Sequence, residues 1–271
     1  MTLAQKAGDV LARVRAQCPL IHNITNYVTV NDVANAVLAL GASPIMADDI
    51  AEAADITAMS AALVMNMGTL HERTVASMLD AGKRANAMGL PVVLDPVGAG
   101  VSKLRNGALE RLLREVRLTV LRGNLSEISF AAGLQAAAKG VDVSEADASK
   151  DPEAVAVAAA QRIHCVVAIT GAVDVVTDGE RVARIHNGHR MLSRVTGTGC
   201  MTSALVGACV GAVKDPFLAA VAGVASMGIA GELAFERAGA QGTGSFHMAI
   251  LDALSHMDGP LMAQRGKIDE A

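Results

Sequence analysis

Of the chain's 271 residues, 52% are hydrophobic and 18% are charged, with a mean hydropathy of +0.37; that is enough apolar material for a large core and too little charge for a disordered chain. Four Phe, one Tyr and no Trp leave the core to Ala, Val, Leu, Ile and Met and supply few of the flat rings that stack unpaired bases. Lys and Arg number 23 against 27 acids, a net charge of −4, which implies no basic surface for nucleic acid or anionic lipid.

In chain order, short apolar runs alternate with helical periods. Met1–Gln17 carries charges at Lys6, Asp9, Arg13 and Arg15 and has no apolar signal core. Pro19–Thr25 reads as a strand, Asn31–Leu40 as a helix and Ser43–Ala47 as a short strand ending in Asp48-Asp49, with a helix after it. Ala62–Met67 is a strand. Leu70–Met88 is a helix by the recurrence of Val75, Met78, Leu79 and Met88, stopped by Gly89. Pro91–Val97 is a strand, followed by a helix around Ala108–Val116, the strand Leu118–Arg122 and the helix Ser126–Ala132. The polar stretch Lys139–Pro152, with six charges, is the linker candidate. Glu153–Ile163 is a helix feeding the strand Cys165–Thr170. Val173–Thr177 and Val182–His186 read as a hairpin turned at Asp178-Gly179.

Three helical segments rich in Ala and Gly close the chain. Val195–Val213 runs 19 residues without a charge, long enough for a membrane span. Its four Gly, three Thr and one Ser, and the break at Lys214-Asp215-Pro216, favour buried, closely packed helices instead. The length divided by about 150 residues per domain suggests two domains, but single α/β domains reach this size. We expect one α/β domain over residues 1–271, with a mainly parallel sheet covered by helices on both faces. Cys18, Cys165, Cys200 and Cys209 show neither CxxC spacing nor a zinc pattern with His. With no export signal, reduced thiols in the cytoplasm are expected.

Open parallel sheets bind ligands beyond the carboxyl ends of their strands, so chemistry is sought there. The strand ends carry Asn23 and Asn26; Met46; Asn66 and Gly68; Asp95; Arg122 and Glu127; and Thr170 and Gly171. Val195–Met201 (VTGTGCM) opens a helix. Its glycines let an anion reach main-chain N–H groups at the positive end of the helix dipole. They also suit a plain packed turn, and neither a Walker loop nor a dinucleotide fingerprint is present. Cys200 sits in that first turn, where the dipole is expected to draw its pKa below the ~8.5 of a free thiol and a bound triphosphate to push it back. Asp95 and Glu127 are the acids best placed for Mg²⁺, although Asp95-Pro96 also suits a turn and Glu127 a helix cap. Arg122 offers a fork for phosphate.

Taken together and in order, PLIHNITN (Pro19–Asn26), SPIMA (Ser43–Ala47), LVMNMG (Leu63–Gly68), VVLDPVGAG (Val92–Gly100), LRGNLSEI (Leu121–Ile128), AITG (Ala168–Gly171) and VTGTGC (Val195–Cys200) resemble the hydroxyethylthiazole kinase family of the ribokinase-like superfamily. The resemblance covers Pro19 to about Ala253. It implies phosphorylation of the primary alcohol of 4-methyl-5-(2-hydroxyethyl)thiazole by ATP with Mg²⁺, in thiamine salvage. By position it implies ATP contacts at Arg122 and Thr170, and thiazole contacts at Met46 and Gly197 with Asn26 nearby. It further implies magnesium at Asp95 and Glu127, and Cys200 where related sugar kinases carry a catalytic Asp. It implies a homotrimer with active sites between subunits. Arg190 departs from the proline the family pattern leads one to expect. Two other readings stand beside this one: a ribokinase-like dehydratase of hydrated nicotinamide cofactors, and a non-catalytic thiazole-binding module.

Overall fold

The computed structural model describes residues 1–134 and 151–270. The first element, α1 (Leu3–Gln17), is a helix that the charged N-terminal sequence does not advertise. It is fixed by a capping box in which Thr2 and Gln5 satisfy each other's main-chain N–H groups. Then follow β1 (Leu20–Ile24), α2 (Val30–Leu40), β2 (Ser43–Ile45), α3 (Ala53–Met59), β3 (Ala62–Asn66), α4 (Glu72–Met88) and β4 (Val92–Asp95). Next come α5 (Lys103–Glu115), β5 (Val120–Gly123) and α6 (Leu125–Ala131). Most of the expected linker, Lys139–Pro152, lies outside the described residues; Asp151, near its end and described, caps α7 (Pro152–Ile163). The remainder is β6 (Val166–Ile169), β7 (Asp174–Thr177), β8 (Val182–Ile185), α8 (Thr198–Ala212), α9 (Pro216–Ala238), α10 (Thr243–Ser255), α11 (Gly259–Arg265) and β9 (Ile268–Glu270). The closing helix α11 and strand β9 go beyond the three helical segments expected.

The strands form one nine-stranded sheet in the order β2-β1-β3-β4-β5-β6-β7-β8-β9. From β2 to β6 all pairings are parallel, and β7, β8 and β9 add antiparallel. Helices cover both faces, as the mainly parallel, ribokinase-like expectation requires. Alternate strand residues divide the core. Ile21, Val64, Val93, Val120 and Ala168 pack under α1, α2, α8, α9 and α10. Leu63, Met65, Leu94, Leu121 and Val167 pack against α4, α5, α6 and α7.

The charge-free runs are core helices. A Cβ at Gly207 would overlap Val64, and one at Gly223 would lie 2.7 Å from the Val206 main chain. Glycine thus lets α8 touch the sheet and α9 touch α8. The segment Pro216–Gln241 is long and apolar enough to cross a membrane, yet 83% of its most apolar window is buried inside the fold.

Candidate active site

Strand parity aims the site. Asn66, Asp95, Arg122 and Thr170 each follow, two residues on, a side chain that packs beneath the α8 layer: Val64, Val93, Val120 and Ala168. Their side chains therefore project from the carboxyl edge toward the start of α8. That helix begins at Gly197, whose φ of 88° is left-handed and which has no side chain to satisfy the first-turn N–H groups. A Cβ there would also meet Thr29 at 2.8 Å.

Asp95 is the hub. It stands beside Asn66 in the β3–β4 register and is 1% exposed. Its Oδ2 accepts from Ser203 Oγ (2.7 Å) and Asn66 Nδ2 (2.9 Å), with Arg122 Nη1 at 3.5 Å. Burial raises its proton affinity, Arg122 and Ser203 pull it back, and Glu127 pushes it up again. Among the described residues, the buried Asp95 Oδ1 and Arg122 Nε find no hydrogen-bond partner.

Arg122 also donates to Thr170 Oγ1, so the residues expected to touch ATP are joined to the acid expected to touch metal. Glu127 is a capping residue as well: Oε1 accepts from Gly98 N–H (2.8 Å) and Oε2 from Asn124 N–H (2.9 Å). Arg105, which the sequence reading passed over, donates to the carbonyls of Met67, Gly68 and Val97 and ties together the loops after β3 and β4.

Cys200 Sγ accepts from Asn26 Nδ2 (3.4 Å) and Asn66 Nδ2 (3.3 Å), while Asn26 also donates to Asn66 Oδ1 (2.9 Å). The expected lowering of the thiol pKa is reversed. Burial first and the Asp95 charge second push it up, against the hydrogen bonds from Asn26 and Asn66. The sequence position predicted the dipole, but not the enclosure or the neighbouring acid.

Two cavities flank this network. One, of about 460 Å³, is lined by Arg122, Thr170, Gly171, Asp174, Thr198 and Gly199, and by His189 and Arg190. The His189 ring stacks on Phe235 at 3.7 Å. The other, of about 250 Å³, is lined by Asn23, Thr25, Tyr27, Val30 and Met46. Asn26 and Gly197 are not among its walls: Asn26 belongs to the Cys200 cluster and Gly197 packs on Thr29. Of the expected residues, then, Cys200, Asn26, Asp95, Arg122 and Thr170 join one network, Glu127 borders it, and Met46 stands apart in the smaller cavity.

The residues fit Mg²⁺. The ion is commonly held by one or two carboxylates with phosphate oxygens and water completing its shell. The unpartnered Asp95 Oδ1 and the adjacent Glu127 carboxylate supply such a donor set.

The sheet order, the layers and the helix N-terminus facing the strand ends define an α/β fold shared with small-molecule kinases. The pyridoxal kinase of Staphylococcus aureus in complex with ADP superposes with a TM-score of 0.59 at 17% identity, over 79% of this chain and 88% of that one. More specifically, residues 11–259 match the model of the hydroxyethylthiazole kinase family, and the chain belongs to that family. It is 62% identical to the hydroxyethylthiazole kinase of Ruminiclostridium cellulolyticum over 96% of each chain. It is 41% identical to the hydroxyethylthiazole kinase structure from Pyrococcus horikoshii, with a TM-score of 0.88 over 98% of each.

Proposed function

We propose that the chain transfers the γ-phosphoryl group of ATP to the primary alcohol of 4-methyl-5-(2-hydroxyethyl)thiazole, in the thiamine salvage of a cytoplasm. The observation that carries the reading is the joined network of Cys200, Asn66, Asp95, Arg122 and Thr170 at the open N-terminus of α8. The polyphosphate lies in the larger cavity on Arg122, Thr170 and the first-turn N–H groups of α8. The thiazole ring lies toward Met46, with its hydroxyl carried to Cys200 between Asn26 and Gly197.

Phosphoryl transfer passes through a loose transition state, so positioning and charge neutralisation do most of the work. Arg122 balances charge on the transferring group, and the Asn26 and Asn66 amides orient the Cys200 thiol. That thiol, pushed up by burial and Asp95, stays protonated near neutral pH and positions the alcohol rather than acting as a strong base. Asp95 and Glu127 would hold Mg²⁺, which would supply positive charge to offset that of the polyphosphate.

A homotrimer completes the reading. Tyr27 and Val28, beside the Met46 cavity, are 72% and 55% exposed, and a neighbouring subunit covers them. A coupled ADP-release assay tests the proposal. ADP release that requires both the thiazole alcohol and Mg²⁺ is expected, and release equal to that of a no-alcohol control overturns it.

A further inference from the structure

One acid of the larger cavity has no task in this reaction. Asp174, the first residue of β7, lines it beside Arg122, Thr170 and Gly171. One of its oxygens accepts from Gly171 N–H at 2.8 Å and closes the turn that leads from β6 into β7. That turn explains an acceptor but not a charge, since a neutral Asn closes it equally well. The charge is held against a penalty: burial pushes the carboxyl up to about 6, with Gly171 N–H and Arg122 giving partial relief. Arg122 does not need this partner to stay in place, because Asp95 and Thr170 Oγ1 already engage its terminal nitrogens. What remains is the effect on an anionic guest. Besides the Asp95 carboxylate that it contacts, Arg122 shares the cavity wall with Asp174 and feels its charge, so its positive charge is partly offset before any polyphosphate arrives.

We propose that Asp174 is a nucleotide-release residue, its negative charge in the cavity wall weakening the hold of Arg122 and the α8 N-terminus on the polyphosphate so that ADP departs after transfer. The inference rests on the reading that this cavity takes the nucleotide. A site built only of attraction binds ATP and ADP tightly alike, and uniform binding of this kind adds nothing to turnover once substrate is saturating. Product release often limits kinases and other well-evolved enzymes. A fixed carboxylate beside the principal cation lowers affinity without disturbing the Thr170–Gly171 geometry.

The test is calorimetric titration of Mg-ADP into the wild-type protein and the variants Asp174→Asn, Asp174→Ser and Arg122→Gln, with steady-state kinetics beside it. Asn and Ser each retain an acceptor for Gly171 N–H and remove the charge. Both are expected to bind ADP about three- to tenfold more tightly, the scale of one partly screened charge. The KM for ATP falls with it, and the KM for the alcohol is unchanged. A purely structural Asp174 leaves the Asn variant at the wild-type affinity. Unchanged or weaker ADP binding in whichever neutral variant folds, with Arg122→Gln weakened more than about tenfold, overturns the proposal and leaves the nucleotide reading standing. If Arg122→Gln also binds ADP as the wild type does, the cavity is not the nucleotide site and both fall together.

Discussion

The two ends of the carboxyl edge are built on opposite plans. At the β4–β6 end, charges are buried and answered within the chain: Asp95 by Ser203, Asn66 and Arg122, and Arg122 by Thr170. At the β1–β2 end, Met46 is half-buried in a small cavity beside an exposed Tyr27. The difference follows from the chemistry each end serves in the proposed reaction. A polyphosphate needs donors fixed in advance, because dipoles that must reorient on arrival cost free energy during reaction. A small, mostly apolar alcohol needs only removal of surface from water, and in the proposed trimer a neighbouring subunit would supply that as well as the chain itself.

The largest effect tests the prebuilt end. Asp95→Asn preserves an oxygen for Ser203 and Asn66 and removes the charge. Turnover is expected to fall about 10²–10³-fold, the scale of losing a preorganised electrostatic partner, with the KM for the alcohol nearly unchanged. Steady-state kinetics at saturating Mg²⁺ decide it. Turnover within tenfold of wild type means that the buried network is a structural device.

Cys200 stands where the two ends meet. Cys200→Ala is expected to lose roughly tenfold or more in turnover, the scale of losing a contact that positions the reacting alcohol, with little change in ATP binding. Cys200→Asp stays active or gains, because the Asn26 and Asn66 amides that now donate to sulfur serve a carboxylate equally. If Cys200 merely fills space, the ranking reverses: Ala is tolerated, and Asp suffers from burying a second charge near Asp95.

The open end is probed by Met46→Ala. Loss of a partly buried side chain is expected to raise the KM for the alcohol about three- to tenfold and leave that for ATP alone. Dilution sharpens the contrast. Activity per subunit should fall as the proposed trimer dissociates, and sedimentation showing a fully active monomer would remove the neighbour from the site.

How much of this is legible in the sequence follows the same division. The alternation of strands and helices is written in continuous apolar runs, and strand ends such as Asp95 and Arg122 are readable because chain direction fixes which end of each strand carries chemistry. Parity was there too: Asp95 sits two residues beyond Val93. What the sequence withholds is register. Nothing in LVMNMG says that Asn66 lies beside Asp95, and so the amide that bridges Asp95 and Cys200 had no assigned role. Ser203, one turn along from Gly199, was within reach of helical spacing but was absorbed into an uncharged run. Asp174 was hidden by its place in a hairpin, and helix α1 by a polar composition that masks the buried stripe of Ala7, Val10, Leu11 and Val14.

The smallest effect concerns Glu127, where the two plans overlap in one side chain. Both its oxygens hold main-chain N–H groups, of Gly98 and of Asn124, and its charge also raises the proton affinity of Asp95. Gln offers one oxygen and an NH₂ that faces the other N–H. Glu127→Gln is therefore expected to cost about 1 kcal/mol of stability, the size of a lost cap, with or without Mg²⁺. It is also expected to raise the Mg²⁺ needed for half-maximal rate several-fold, a modest effect because Asp95 and the phosphate oxygens remain to hold the ion. The pH dependence has a definite sign. Removing a nearby negative charge makes Asp95 easier to ionise, so the acid limb of the rate profile moves to lower pH in the variant. A capping role alone predicts the stability loss with an unmoved metal requirement. A pH profile checks the acid limb, and thermal melts in EDTA with a Mg²⁺ titration on the same preparation separate the carboxylate that builds the loop from the carboxylate that serves the reaction.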